Sequence, residues 1–500
     1  MSTERRLSQK TIEWASAGIA KPEYDRSKVS VGIVHFGVGA FHRSHQALVM
    51  DNLFNAGADL QWGICGVGLM PRDEEFGKDF KEQDCLYTLV EKRSDGSRST
   101  RIIGSIIDYK YAPENPTEVI SMLANPAVGI VSLTITEGGY NFDPASLLFD
   151  STNPGVIHDL EFPQNPQTIF GFITEGLRLR MDAGLPSFTV MSCDNIQGNG
   201  HIAKEMFLAF AELRDPELAT WIHKNTKFPN SMVDRITPVT TSEDIEEVSA
   251  EIGIRDNCPV VSEPCFQWVL EDAFNQGRPQ FELSAGSVVQ VVNDVEPYEL
   301  MKLRLLNASH QALAYFGYLS GYRWVHEAAR DPEMVNLLMD YMDLEATPTL
   351  RPVPGMNLAE YKAELIERFQ NPEVKDTVVR LAAESSDRIP KWLVPVIREQ
   401  IALGGPTKIS AGIVASWARY AEGIDEQGEP IIVVDQLAGE LVPIAQSQRE
   451  DPLAFLRMRK LFGDLIDYKS FTDQYVHALE SLWSKGAHAT MAELTGSKIH

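Results

Sequence analysis

Three polar residues that could carry out proton transfer lie on one segment with the apolar periodicity of a buried helix. Lys302, Asn307 and His310 fall on or beside its apolar stripe. A buried lysine loses solvation, so its pKa should fall toward neutrality and it could act as a general base. An asparagine amide can hold a developing alkoxide, and the two groups together could oxidise a secondary alcohol. The alternative is a hydrogen-bonded core pair of Asn307 and His310 without catalysis.

The spacing of these residues sets a geometric condition. Lys302 and His310 are eight residues apart, which is about 12 Å along a straight α-helix. They could act on one substrate only through the long lysine side chain, or if the helix begins irregularly.

The elements that must position these residues differ between the two halves of the chain. Up to about residue 295, short apolar runs alternate with amphipathic stretches, as is typical of a parallel sheet covered on both faces. The predicted strands are 31–36, 62–67, 128–136 and 188–193. A helix is expected over 40–54, and residues 86–111 predict an inserted antiparallel hairpin.

Helical periodicity dominates from Pro297 onward. The predicted helices are 331–342, 358–369, 373–384 and 450–466, with a proline-rich linker over 346–356. The sequence therefore predicts an α/β N-terminal Rossmann-like domain with a mostly α-helical C-terminal domain. We expect residues 1–295 to bind a dinucleotide and residues 296–500 to hold the substrate and catalytic groups.

A glycine pair after the first predicted strand indicates a nucleotide site. Gly37 and Gly39 would allow a tight turn beside a pyrophosphate at a helix N-terminus. His42 stands where the usual motif has its third glycine, so the pattern alone is weak. After the second strand, Asp73 could bind the adenosine ribose of NAD, whereas Arg72 could bind the extra phosphate of NADP. A solvated loop is the alternative for both residues.

Composition excludes several classes of partner. A net charge of -25 should repel nucleic acid and anionic membranes. The sequence shows neither a signal peptide nor an apolar run of the ~20 residues that span a bilayer, so a cytoplasmic protein is expected. None of the five cysteines forms a C-x-x-C pair, and His42 and His45 lack an evident third ligand, so no metal is expected.

The chain resembles the polyol-specific long-chain dehydrogenases, the mannitol dehydrogenase family, over nearly its whole length. The motifs that carry the resemblance are Gly37-Val38-Gly39-Ala40-Phe41-His42-Arg43, Thr136-Glu137-Gly138-Gly139-Tyr140, Cys193-Asp194-Asn195, Val233-Asp234-Arg235-Ile236-Thr237-Pro238 and the block from Lys302 to His310. The resemblance implies metal-independent interconversion of D-mannitol and D-fructose with NAD. It also implies a small polyol or ketose as partner and leaves the oligomeric state open, a monomer being compatible.

The resemblance implies a role for each site residue. Lys302 would be the general acid/base, Asn195 and Asn307 would form the oxyanion hole, and His310 would orient the substrate. Asp234 would tune the lysine, Glu299 would gate proton exit and Arg380 would contact distal hydroxyls. The predicted cofactor-binding residues are Phe36, Gly37, Val38, Gly39, Phe41, His42, Arg43, Asp73, Thr136, Glu137 and Asn195.

Two alternatives stay open at this point. Related branches of the family reduce the hexuronates fructuronate and tagaturonate or act on other polyols, and Arg388 and Lys391 could serve a charged substrate. From another class, the chain could be a nucleotide-binding regulator without catalysis. The intact set of Lys302, Asn195, Asn307 and His310 argues against a regulator. Because Asn195 and Asp234 precede residue 295, the expected active site draws on both domains.

Overall fold

Short β-branched runs form a parallel sheet in the N-terminal part of this computed structural model, which describes residues 5–142 and 148–496. The chain divides into two units, Met1–Val295 and Glu296–His500. The strands of the first unit are β1 (Val31–Phe36), β2 (Gly63–Gly68), β3 (Tyr87–Lys92), β4 (Arg98–Ile103), β5 (Ile106–Tyr111), β6 (Ile130–Leu133), β7 (Thr189–Ser192), β8 (Ser231–Asp234), β9 (Val260–Ser262), β10 (Gln267–Glu271) and β11 (Val288–Val292).

The main sheet has the strand order β5-β2-β1-β6-β7, and each neighbouring pair is parallel. From β1 the chain moves out to one edge and then returns past β1 to begin β6. The strand order therefore reverses between β1 and β6. In open α/β sheets, ligands bind beside the carboxyl ends of the strands at such a switch point.

Apolar side chains cover both faces of this sheet. Ile33 and Ile64 pack with Phe54 on one face, whereas Val34 and Phe36 pack in a separate cluster on the other. All five side chains are fully buried. The prediction of a parallel sheet that is covered on both faces is therefore confirmed.

The predicted hairpin is confirmed in part. β3 and β4 pair antiparallel, with Tyr87 opposite Ile103. β5, which the sequence assigned to the same hairpin, instead pairs parallel with β2 at the edge of the main sheet. The strands predicted over 128–136 and 188–193 are present but shorter.

The helices of the first unit cover the sheet and connect its strands. They are α1 (Ala40–Ser44), α2 (Gln46–Asn55), α3 (Arg72–Glu82), α4 (Pro116–Ala124), α5 (Pro154–Glu161), α6 (Ile169–Asp182), α7 (Asn199–Arg214), α8 (Pro216–Asn225) and α9 (Ser242–Ile252). The single helix predicted over 40–54 is broken at His45, whose backbone leaves the helical region (φ -116°, ψ -96°). The His45 ring stacks on Phe41 and Phe266, and these contacts accompany the break.

The second unit is mostly helical, as predicted. Its helices are α10 (Glu296–Met301), α11 (Ala308–Leu319), α12 (Val325–Ala328), α13 (Pro332–Asp340), α14 (Leu358–Phe369), α15 (Val378–Ala382), α16 (Ser385–Trp392), α17 (Val394–Leu403), α18 (Lys408–Tyr420), α19 (Ala438–Gln446), α20 (Arg459–Phe462), α21 (Lys469–Lys485) and α22 (Ala487–Thr495). Two π-helical segments, Lys302–Asn307 and Tyr341–Ala346, interrupt the α-helical pattern. Over residues 5–142 and 148–496, no helix is both long enough and apolar enough to cross a membrane.

Candidate functional site

The glycine turn lies at the switch point of the sheet. Gly37 follows β1 with φ at 90°, and a Cβ added there would lie 2.1 Å from the carbonyl oxygen of Thr134. The Thr134 hydroxyl donates to the Gly37 carbonyl at 2.6 Å, which ties the end of β6 to the turn. A Cβ added at Gly39 would meet no atom closer than 4.0 Å. Gly37 is therefore required by packing, whereas Gly39 leaves space beside the turn.

A buried pair of histidines lies at the base of this turn. The His35 ring bonds to the hydroxyls of Ser132 and Thr134, at 2.7 and 2.9 Å, and the His42 ring stacks on it with centroids 3.3 Å apart. Burial lowers the pKa of His35 to about 3 and the pKa of His42 well below its ordinary value. Both rings are therefore neutral at neutral pH, and His42 adds no side-chain charge to the turn.

Several predicted cofactor-binding residues have side chains that pack in the protein interior. Phe36 is fully buried, so only its backbone can line the turn, and Val38 is also buried, packed over Gly66. The Arg43 guanidinium donates to the Cys258 carbonyl and lies over the Phe76 ring. The cofactor contacts predicted for Phe36, Val38 and Arg43 stay predictions. For Phe36, burial excludes a contact through the side chain.

Asp73 shapes the turn that follows β2. It lies in the first turn of α3 rather than in a solvated loop. One of its carboxylate oxygens accepts the backbone N–H groups of Leu69 and Met70, at 2.9 and 2.8 Å. The other oxygen lies 4.0 Å from Nε of Arg72, whose own side chain is mostly exposed. Asp73 is thus held at a strand end, which is where a ribose acceptor is required.

The loops after β6 and β7 meet at the same edge of the sheet. Thr136 and Glu137 follow β6 and are exposed, and Asn195 follows β7 and is also exposed. The Asp194 carboxylate accepts the Thr136 backbone N–H at 2.7 Å and so connects the two loops. Asp234, a predicted catalytic residue, ends β8 in a different sheet and is 5% exposed.

Lys302 and Asn307 begin and end a π-helical segment in the second unit. In an α-helix, residues five apart point in directions that differ by about 140°. The i to i+5 hydrogen bonding of a π-helix instead places them one turn apart, and such segments are frequent at functional sites. The irregular helix start, one of the two conditions under which Lys302 and His310 could act on one substrate, is therefore present. His310 follows in α11, with its ring centroid 4.8 Å from that of Phe369.

Residues distant in sequence brace this segment. The Arg304 guanidinium donates to both carboxylate oxygens of Glu399, at 2.8 and 2.6 Å, and to the Thr349 carbonyl at 2.6 Å. The Tyr341 hydroxyl donates to the Arg304 carbonyl at 3.1 Å. No role was predicted from the sequence for Arg304, Tyr341 or Glu399. The signal that the sequence offers for Arg304 is a charged residue between leucines of a helical segment.

The Nδ2 group of Asn307 is buried without a hydrogen-bond partner among the described residues. Asn307 is 4% exposed, and within the described part of the chain its Nδ2 has no hydrogen-bond partner. A buried donor without an acceptor costs about 1–3 kcal/mol, so native proteins rarely keep one without a reason. The Nδ2 group of Asn307 therefore takes no part in the hydrogen-bonded core pair that was the alternative. An unpaired donor here is suited to an oxygen of a ligand.

Glu299 and Arg380 lie in different settings. Glu299 lies in the last turn of α10 and is 7% exposed. The exposed Arg380 guanidinium makes a two-pronged ion pair with Asp376, both contacts being 2.5 Å. Proton gating by Glu299 and substrate contact by Arg380 stay predictions. Across residues 5–142 and 148–496, no group of three or more His, Cys, Asp or Glu side chains is placed to hold a metal ion.

Comparison with known proteins decides the family. The family model described as "Mannitol dehydrogenase Rossmann domain" matches residues 31–283, and that described as "Mannitol dehydrogenase C-terminal domain" matches residues 294–483. The chain belongs to the mannitol dehydrogenase family. The resemblance inferred from the motifs is thereby confirmed, as is the fold class.

Relatives within the mannitol dehydrogenase family cover nearly the whole chain. Mannitol dehydrogenase 2 of Saccharomyces cerevisiae is 44% identical over 99% of this chain and 98% of its own length. Mannitol 2-dehydrogenase of Phaeosphaeria nodorum is 43% identical over 98% of this chain and 87% of its own.

Two solved structures are also similar. Mannitol 2-dehydrogenase of Pseudomonas fluorescens, solved as a ternary complex with NAD and D-mannitol, has a TM-score of 0.86 and 41% identity, covering 99% of this chain and 100% of that one. A D-sorbitol dehydrogenase in substrate-free form has a TM-score of 0.91 and 37% identity, covering 97% and 100%. Members of this family therefore include enzymes named for two different polyols.

Proposed function

We propose that this chain is an NAD-dependent, metal-independent dehydrogenase that interconverts D-mannitol and D-fructose. The observation that carries the proposal is the unpaired, buried Asn307 amide one π-helical turn from Lys302. The Pseudomonas fluorescens enzyme, with NAD and D-mannitol bound, supports the choice of substrate and cofactor.

The first unit would hold the dinucleotide. The open space beside Gly39 would admit a pyrophosphate close to the backbone, and the Asp73 carboxylate would accept the ribose hydroxyls of NAD. Thr136 and Glu137 would line the same edge of the sheet. NAD held by these residues would supply the hydride acceptor for the alcohol carbon.

The second unit would supply the proton transfer. Neutral Lys302 takes the hydroxyl proton at Nζ, while the amide of Asn307, joined by that of Asn195, donates to the alkoxide oxygen as negative charge builds there. In the reverse direction the lysine returns the proton to the ketose oxygen. Ammonium and amide groups polarise this oxygen without a metal ion.

The remaining residues would support the same step. His310 orients the substrate, and Arg380 contacts its distal hydroxyls. Asp234 would tune or position the lysine. Glu299, three residues before Lys302 on the same helical stretch, passes the proton to water.

Two glycine variants test the cofactor turn. Gly37→Ala should destabilise the fold, because its Cβ would overlap the Thr134 carbonyl and its φ of 90° is strained for an L-residue. Gly39→Ala has room for its Cβ and an ordinary φ of -79°, so it should fold normally but bind NAD more weakly. Thermal unfolding and NADH titration measure the two effects. Unchanged NADH affinity in a folded Gly39→Ala would contradict a dinucleotide at this turn.

A substrate panel with both cofactors tests the activity. We expect the highest kcat/KM for D-mannitol with NAD. The rate is measured as the increase in absorbance of the reduced nicotinamide. Preference for D-mannonate would favour a hexuronate reductase, and strong preference for NADP would overturn the role of Asp73. Cofactor binding without turnover of any polyol or ketose would favour the non-catalytic regulator.

D-Sorbitol is the second candidate substrate. The D-sorbitol dehydrogenase structure matches this fold with a TM-score of 0.91. D-Mannitol and D-sorbitol differ in configuration at the carbon that becomes the ketone of D-fructose. The ratio of kcat/KM for these two polyols therefore decides between the two candidates.

A further inference from the structure

The loop after β6 contains a strained residue. Thr136 has φ 61° and ψ 170°, a region that is almost restricted to glycine and costs on the order of 1–3 kcal/mol for other residues. Such strain persists only where surrounding contacts hold it, and it clusters at functional sites. The contacts that hold Thr136 in this conformation are therefore candidates for a functional role.

A single buried carboxylate holds the strained turn. Asp194 Oδ1 accepts the Thr136 N–H at 2.7 Å, and Oδ2 accepts the Ile135 N–H at 3.1 Å and the Tyr140 hydroxyl at 2.7 Å. Asp194 is 7% exposed. Hydrogen-bond donors from one loop thus compensate its charge.

The backbone of Asp194 is fixed from the other side. Its N–H donates to the Ser192 hydroxyl at 3.3 Å, and its carbonyl accepts from the Asn199 amide at 2.9 Å. The same Asn199 amide donates to the Ser231 carbonyl at 2.8 Å. Asn195, a proposed alkoxide donor, is the next residue along the chain. Asp194 therefore joins the Thr136 turn to the backbone that presents Asn195.

We infer that Asp194 is a positioning residue, whose ionised carboxylate holds the Thr136 turn and the backbone of Asn195 in the arrangement that the reaction needs. The inference rests on the proposed function. It requires the ionised form, because a protonated carboxyl has a hydrogen on one oxygen and cannot accept all three donors.

The ionisation of Asp194 gives the inference a pH signature. Burial raises its pKa to about 6, the hydrogen bonds from Ile135, Tyr140 and Thr136 oppose that rise, and the charge of Glu137 adds to it. The other titratable neighbours, Tyr140 and Cys193, are neutral at this pH because burial raises the pKa of each. Since the folded pKa is raised, the carboxylate is present above about pH 6 and is lost as the pH falls through that value. Activity should fall with it.

Asp194→Asn tests the inference, since its amide keeps the shape but places a donor where only acceptors fit. We expect kcat/KM at pH 7.5 to fall by about 10- to 100-fold, the scale of a small misplacement of reacting groups. The acid limb of the wild-type profile near pH 6 should disappear. Faster hydrogen exchange of the peptide over residues 134–142 is a readout that does not depend on turnover.

Asp159→Asn is the matched control. Asp159 is also a buried carboxylate. It accepts the Gln167 N–H and the Thr168 N–H and hydroxyl, at 2.7, 2.8 and 2.6 Å, and its Oδ1 lies 3.2 Å from Nδ1 of His158. Its replacement should lower the melting temperature without moving the acid limb.

The outcomes separate the inference from the proposed function. An Asp194→Asn variant with the wild-type pH profile and unchanged exchange over 134–142 would overturn the inference. If the wild-type protein oxidises no polyol while Asp194→Asn still exchanges faster over 134–142, the proposed function fails and the assignment of Asp194 to the turn stands.

Discussion

Lys302→Ala is expected to lower kcat for polyol oxidation at least ~100-fold, the usual scale for loss of an acid/base group. NAD affinity should change little, because the predicted cofactor residues lie in the first unit. Steady-state rates and NADH titration measure both effects. Added primary amine should restore part of the rate.

Lys362→Ala is the control for this prediction. Lys302 and Lys362 are both 7% exposed and both lie in the second unit. Lys362 pairs with Asp343 and so has a structural partner. Its removal should lower stability while kcat is retained. Near wild-type turnover by Lys302→Ala at neutral pH would exclude Lys302 as the base.

Elements set by local pattern were predictable from the sequence. Residues Val31–Phe36 form the strand expected of a buried β-branched run, and Leu358–Phe369 form the expected amphipathic helix. In both cases side-chain periodicity agrees with the burial that the fold imposes. The glycine turn after the first strand was predictable for the same reason.

Elements set by single backbone conformations were not predictable. The prediction of one helix over 373–384 is wrong. Lys375 adopts φ 51°, and the Thr377 side chain caps a separate, short helix at Val378–Ala382. The helix expected over 450–466 is also wrong. Only short helices form there, Phe455–Arg457, Arg459–Phe462 and Leu465–Asp467, and Gly463 with φ 59° separates the last two. Each break involves only one or two residues and leaves the spacing of the apolar residues unchanged. Apolar periodicity therefore does not reveal it.

The candidate site likewise has features that the sequence predicts and features that it does not. The identities of Lys302, Asn307 and Asp194 are visible in the sequence, but their geometry is not. Arg304 lies inside the π-helical turn between Lys302 and Asn307 and bonds to Glu399 and Thr349, far along the chain. The role of Asp194 likewise depends on a loop that follows a different strand. Long-range hydrogen bonds leave no periodic signal in a single sequence.

Substitution of Asn307 distinguishes a catalytic role from a structural role more clearly than substitution of Lys302 does. A donor kept for the substrate costs stability while the site is empty, because its hydrogen bond to water is lost on folding and not replaced. Removing such a donor should therefore damage the chemical step much more than the fold. A donor that served the core would behave in the opposite way.

Asn307→Ala is accordingly expected to lower kcat by about 10²- to 10³-fold, as for loss of one oxyanion donor, with little change in the melting temperature. Asn357→Ala is the reference for a stability effect, because Asn357 caps α14 through the backbone N–H groups of Ala359 and Glu360. Loss of that cap should cost about 1 kcal/mol of unfolding free energy and leave kcat unchanged. Single-turnover rates and thermal unfolding of both variants make the comparison. A loss of stability in Asn307→Ala with kcat retained would show that the amide serves packing, and the alkoxide would then need another donor.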